Sequence, residues 1–170
     1  MNVSTNNMIP VTERCDLQKF LRGEVPDLKG RMFIEILNFS DEELEIEHDY
    51  IQWIFPSDVP SKYNPNAPIL TSELIEKLKT DELVKKNITL ATFRFTVFLS
   101  NFHWLYKHNH NLKRITRVLR CLHVLDMENE RELFRHFAKQ ICIRFPDVID
   151  NVTENFWMNS DNDDLFFPSV

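Results

Sequence analysis

Two stretches of this chain combine ionisable and amide side chains at spacings that bring them together. In the segment 41 to 55, Glu45, His48 and Gln52 stand at i, i+3 and i+7, which on one continuous helix makes a single polar ridge. Leu44, Ile51 and Phe55 run along one flank of that ridge, with Ile46, Tyr50 and Trp53 further round. A carboxylate beside an imidazole is the minimum for acid–base work or for gripping a small ligand, and it is equally the makeup of a buried network that registers two helices. From spacing alone the structural role is favoured.

The second stretch, "HNHNLKRITRVLRCLHVL" (108 to 125), threads four cations through regularly spaced aliphatics. At 100° per residue, Leu112, Ile115, Val118, Leu119, Leu122 and Leu125 share an arc of about 140°. Lys113, Arg117 and Arg120 fall on the opposite side and are expected to be solvated. Arg114 falls at the border beside Leu125, where a half-buried guanidinium needs an anionic or carbonyl partner. Asn109 and Asn111 have the short amides that cap helices. His108 and His110 form an H-x-H with no neighbouring carboxylate pair or further histidine at ligand spacing, so no metal is expected.

Other chemistries are excluded by composition. The 170 residues contain only two glycines, Gly23 and Gly30, so neither a P-loop nor a dinucleotide-binding turn can be written. There is no G-x-S-x-G elbow, and none of the three cysteines (Cys15, Cys121, Cys142) sits beside a histidine or in a CxxC, so no catalytic residue and no cofactor is assigned. An odd number of widely separated thiols fits a reducing compartment. A net charge of −6 opposes bulk attraction to nucleic acid or to an anionic membrane. The N-terminus lacks an apolar signal core, and the most apolar stretch, 88 to 106, is interrupted by Arg94, Asn101 and His103, so no transmembrane segment is expected. The chain is read as soluble and intracellular.

The elements that must position these residues are helical. Few glycines with abundant Leu, Glu, Lys and Ile predict an all-α fold, a single compact domain of about seven helices. Thr12 caps a first helix that Gly23 and Pro26 stop, and a short helix follows over 31 to 39. Ser40 and Glu43 form a capping box opening a helix that runs to Pro56. Pro56, Pro60, Pro65 and Pro68 make an extended connecting loop. Thr71 or Ser72 caps one or two short helices, and 88 to 107 reads as a central helix, with strand as the alternative. Helices follow over 112 to 126, 128 to 145 and within 148 to 160. The boundaries are a flexible N-terminus (1–11), the helical domain (12–160) and an acidic tail (161–170), either frayed or docked by its two phenylalanines.

Two of these runs carry a resemblance. "LEIEHDYIQWIFP" (44 to 56) and "HNHNLKRITRVLRCL" (108 to 122), separated by "NPNAPILTSELIEKL", resemble in order the shared domain of the opioid growth factor receptor family. Leu44, Glu45, His48, Tyr50, Ile51, Gln52, Trp53, Phe55 and Pro56 match its first motif. His110, Asn111, Arg114, Ile115, Thr116 and Arg117 match its second, and Leu70, Thr71 and Glu73 lie between. A family tryptophan ahead of the first motif is Phe39 here. The resemblance covers roughly 16 to 160, nearly the whole chain, and implies an all-helical, non-enzymatic, growth-regulating receptor domain, enkephalin-binding in animal relatives, cytoplasmic or nuclear in a eukaryote. This chain is expected to be a stand-alone form of that domain.

On this reading the two motif helices face each other, with Arg114 reaching Glu45 or, alternatively, Glu47. The expected ligand is a short peptide or protein segment, met by Glu45, His48, Tyr50, Gln52, Trp53, His110, Asn111, Arg114 and Arg117. Two alternatives stand beside it. One is an enzyme acting on a small anionic substrate with His48 and Glu45, clamped by Arg114 and Arg117. The other is phosphate or nucleic-acid binding by the 113–120 basic face.

Overall fold

Side-chain caps mark where the helices begin. Asp16, Ser40, Thr71, Asp81, Asn109 and Asp150 each accept a hydrogen bond from an amide in the first turn of the helix they precede, satisfying a donor that the helix itself cannot. In the computed structural model, residues 16–61 and 64–167 are described, and among them the chain forms nine α-helices. They are α1 (Leu17–Leu21), α2 (Phe33–Leu37), α3 (Asp41–Ile46), α4 (Ile51–Ile54), α5 (Ser72–Lys79), α6 (Glu82–Leu99), α7 (His110–Val124), α8 (Glu128–Arg144) and α9 (Asn151–Met158), followed by a 3-10 turn at Asp163–Leu165. No strand occurs among the described residues, so the strand alternative for 88 to 107 is out. The proposed Thr12 cap and the 1–11 segment lie outside the described residues; α1 is capped by Asp16.

Several expected starts and stops are found. Ser40 and Glu43 make the capping box, with the Ser40 amide 2.7 Å from Glu43 Oε2. Thr71, not Ser72, caps α5. Gly23 follows α1 at φ +79°, a backbone state that side chains disfavour. The described parts of the Pro-rich segment form no helix, and its ends are tied by the Leu70 amide on the Ser57 carbonyl, 3.0 Å. The central helix begins earlier than the sequence suggests, at Glu82 behind its Asp81 cap, and stops at Leu99. The Trp104 indole N–H caps that end on the Leu99 carbonyl at 2.8 Å. Thr92 and Thr96 return their hydroxyls to the carbonyls one turn back, each at 2.8 Å, which lets them sit inside a helix.

Helices α7, α8 and α9 pack on one another, and α6 lies against α1, α2, α5 and α8. Phe20, Tyr50, Phe55, Phe95, Leu119 and Trp157 are among the fully buried side chains at their centre.

The single helix expected over 41 to 55 is instead two. Helix α3 ends at Ile46, Glu47 turns to extended dihedrals (φ −73°, ψ 129°), and α4 begins only at Ile51. The physical cause is on α7.

Candidate functional site: an arginine holding a broken helix

In an unbroken helix the Leu44 carbonyl would accept from the His48 amide. Here it accepts from Arg114 Nη1 at 2.7 Å and from the Tyr50 hydroxyl at 3.1 Å, and the Glu47 carbonyl accepts from Arg114 Nη2. The guanidinium has taken over the end of α3, and its charge suits the negative pole of a helix C-terminus. From the other side Arg31 holds the break. It pairs with Asp27, whose side chain is fully buried, and its Nη1 lies 2.9 Å from Asp49 Oδ1.

Arg114 is thus the border arginine that needs a partner, buried rather than half-buried, but the partner is not the Glu45 or Glu47 carboxylate: it is a pair of peptide carbonyls. Glu45 is reached instead through Asn111. The Asn111 Nδ2 donates to Glu45 Oε2 at 2.7 Å, and Arg114 Nη1 donates to Asn111 Oδ1 at 2.9 Å. His48 Nδ1 lies 3.5 Å from Arg114 Nη2, and the guanidinium sits 5.2 Å from the Tyr50 ring centroid, within cation–π range. The His48 and His110 rings meet edge to face at 4.9 Å, and His110 Nε2 approaches Glu45 Oε1 at 3.6 Å without a hydrogen-bond partner.

Charge follows environment. Burial pulls the Arg114 guanidinium below its ordinary value because carbonyls, unlike carboxylates, only partly replace lost hydration. Burial, then the Arg114 charge, lowers the His110 imidazole against the opposing pull of Glu45. Burial pushes the Tyr50 phenol up to about 12, so it stays a donor to Leu44.

The structure therefore unites Glu45, His48, Tyr50, His110, Asn111 and Arg114. It does not unite the rest. With the helix broken, Gln52 no longer continues the Glu45–His48 ridge; it is 7 % exposed and its Oε1 has no partner. Trp53 packs edge-on against Phe20 at 5.5 Å, and both it and Tyr50 are buried, so neither presents an aromatic face to a peptide. Arg117 bends to the Phe55 carbonyl at 3.3 Å and is depressed by burial. Asn109 caps α7, accepting from the Asn111 amide at 2.7 Å, whereas Asn111 serves as the bridge rather than a cap.

The solvated basic face is also corrected. Lys113 is exposed, but Arg120 is 3 % exposed. Its Nε lies 3.0 Å from Asp58 Oδ1 and its Nη2 2.7 Å from Asp163 Oδ1, and its guanidinium stacks 4.8 Å from the Phe166 ring centroid. The described part of the tail, to Phe167, is docked, as the two phenylalanines allowed. What sequence reasoning missed was this clamp; the only hints were an aspartate in the proline-rich loop and an acidic–aromatic tail. Cys121 and Cys142 are buried free thiols raised by burial, which removes them as nucleophiles. Among the described residues no cluster of three or more His, Cys, Asp or Glu is placed to hold a metal ion.

The chain has relatives among known families. Residues 19–97 match the model of the opioid growth factor receptor conserved region, and the chain belongs to that family. Among its relatives, the opioid growth factor receptor of Rattus norvegicus is 30% identical over 170 residues, covering 85% of this chain and 29% of the relative. That of Mus musculus is 29% identical over 170 residues, covering 85% and 26%. The opioid growth factor receptor-like protein 1 of Xenopus tropicalis is 37% identical over 137 residues, covering 68% and 26%. The chain thus spans under a third of the length of these relatives. No solved structure gives a significant match. Among the described residues no helix is long and apolar enough to cross a membrane.

Proposed function

We propose that this chain is a non-enzymatic recognition domain for a short peptide or protein segment, bound at the edge where Glu45, His48 and His110 reach the surface. The observation that carries this is how Arg114 is used. Three acceptors bond its two terminal nitrogens, the carbonyls of Leu44 and Glu47 and Asn111 Oδ1, with His48 Nδ1 3.5 Å away, so it holds the fold and is not available as a substrate clamp. Above it, the Glu45 and His110 side chains are each 32% exposed and His48 is exposed, a small acceptor-rich rim on a rigid base. A carboxylate beside two imidazoles suits a peptide α-amine and its neighbouring amides. The enzyme reading loses its clamps, because Arg114 and Arg117 are both turned onto backbone carbonyls. The nucleic-acid reading loses its basic face, because Arg117 and Arg120 point inward. Relatives named as receptors for an opioid growth factor support a peptide ligand, and unpaired buried thiols support a reducing, intracellular setting for a growth-regulating role.

Calorimetric titration with an enkephalin pentapeptide tests this. Wild type is expected to bind, Glu45→Gln about tenfold more weakly through loss of one charge-assisted contact, and the N-acetylated peptide likewise. A wild-type chain that ignores the pentapeptide, or equal binding by Glu45→Gln, overturns the proposal.

A further inference from the structure

Helix α6 is apolar on both sides. Its inner face, with Val84, Ile88, Ala91, Phe95 and Leu99, is buried in the core. An ordinary surface helix carries charge on the other side. Here, at 100° per residue, Leu83, Lys86, Leu90, Phe93 and Val97 share an outward arc of about 80°, at the a and d spacing of a heptad. The four apolar members are exposed, Phe93 by 70%. Helix α8 extends the patch. It runs the same way as α6: Thr89 bonds Glu130 at 3.1 Å, and Phe102 meets Phe145 just beyond the two C-terminal ends. One turn on from Thr89 and Glu130 stand Phe93 and Leu133, the latter 75% exposed.

The exposed parts of these five apolar side chains amount to on the order of 500 Å², given roughly 150–250 Å² for a whole aromatic side chain and somewhat less for an aliphatic one. That is near the upper end of what monomers leave bare, about 300–600 Å². Two such patches face to face bury roughly 1,000 Å² of apolar area, and because homodimer interfaces are about 65% apolar, roughly 1,500 Å² in all. A standard stable interface buries about 1,600 Å². The spacing is also self-complementary. In an antiparallel pair of α6 helices a positions meet d positions, so Leu90 of one copy meets Phe93 of the other, twice over by symmetry, and Lys86 meets Val97. A carboxylate waits at the Val97 end. Arg94 and Asn101, one turn to either side of Val97, both bond Asp41, at 2.8 and 3.1 Å, and the Asp41 side chain is 49% exposed. Antiparallel pairing thus brings Lys86 of one copy to Asp41 of the other, whereas parallel pairing sets Lys86 on Lys86.

We infer that the outer face of α6 pairs two copies of this chain antiparallel, about a two-fold axis between Leu90 and Phe93. The two copies of these side chains form the apolar centre, and Lys86 with Asp41 forms a charged rim at either end. The residues differ from those of the recognition rim, so this pairing stands or falls separately from peptide binding.

Sedimentation velocity of the full chain over a concentration series reads the pairing. The mass is expected to rise from 20.4 kDa toward twice that value. Phe93→Lys replaces an exposed side chain, so it should keep the wild-type circular dichroism and weaken pairing about hundredfold, the size of a central hot spot. Lys86→Glu touches only the rim and keeps the test open should Phe93→Lys fail to fold; it should weaken pairing about tenfold by setting like charges together. Disulfide trapping under mild oxidant reads the orientation. Leu90→Cys chains mixed with Phe93→Cys chains should cross-link to each other well ahead of either with itself. A mass that stays at 20.4 kDa at every concentration, pairing unchanged in a folded Phe93→Lys chain or in Lys86→Glu, or Leu90→Cys chains that cross-link chiefly among themselves each overturns the inference.

Discussion

Arg114 and Arg120 lie on the same helix, both nearly buried at 5% and 3% exposed, and they are neutralised in opposite ways. Arg114 is surrounded by dipoles, two peptide carbonyls and an amide oxygen, with Glu45 one residue removed behind Asn111. Arg120 is surrounded by full charges, Asp58 from the proline-rich loop and Asp163 from the tail. Burial wins at Arg114 and lowers its pKa; at Arg120 burial also opposes the charge, but the bonds from Asp58 and Asp163 outweigh it and the net is upward. The first arrangement ties a side chain to two backbone carbonyls and has no carboxylate in contact. The second binds two surface segments through groups that acid neutralises. The difference marks one end of α7 as a fixed base and the other as a clasp.

Breaking the base is expected to have the larger effect. Arg114→Ala strands the Glu47 carbonyl and leaves Leu44 with only the Tyr50 hydroxyl, a loss of about 3 kcal/mol by urea denaturation, since each abandoned buried acceptor costs roughly 1–3 kcal/mol. Next comes the clasp. Arg120→Ala leaves Asp58 and Asp163 near enough to the surface to hydrate, so about 2 kcal/mol is expected. Amide exchange should then rise over residues 160 to 167 and not at the α3 end, whereas Arg114→Ala should loosen residues 44 to 50.

The two sites also separate by pH. The Asp58 carboxyl is destabilised by burial but held below 3.8 by Arg120, so on acidification the unfolded chain takes up the proton first. The stability it contributes is present above pH 3.8 and is lost as pH falls through the folded value. The Arg120→Ala deficit should therefore shrink below pH 3.8 while the Arg114→Ala deficit persists. The smallest effect is at His110. Its folded pKa lies below 6.5, chiefly through burial, so the unfolded chain again protonates first and wild type loses stability as pH drops from 6.5. His110→Gln should flatten that slope, leaving a residue from His123, which is lowered in the same direction.

How much of this the residues disclosed beforehand depended on the range of the interaction. Local chemistry was readable: Ser40 with Glu43, Thr71 and Asn109 cap where short polar side chains must. The aliphatic arc of α7 is buried from Leu112 to Leu125 as its period requires. The meeting of the two motifs was readable in outline, because a border arginine has to find an acceptor. What was hidden is that the acceptor is backbone. Periodicity continues smoothly through 41 to 55, and it is a guanidinium from 67 residues along the chain, bonded to Glu47, with Arg31 on Asp49 from the other side, that holds the break there. That one break carries Gln52 and Trp53 out of the predicted site and into the core. Arg120 was hidden for the same reason: Asp58 lies 62 residues away in a loop without regular spacing. A helical wheel separates faces, but it does not say which face another segment will cover.

The most direct test follows Arg114 with two readouts on one sample, melting temperature and affinity for the enkephalin pentapeptide. If Arg114 is the base beneath a recognition rim, Arg114→Ala lowers both together, while Glu45→Gln lowers affinity and leaves the melting temperature near wild type. An Arg114→Ala chain that melts as wild type yet no longer binds would place the guanidinium in the ligand's hands rather than the fold's, and would contradict the account.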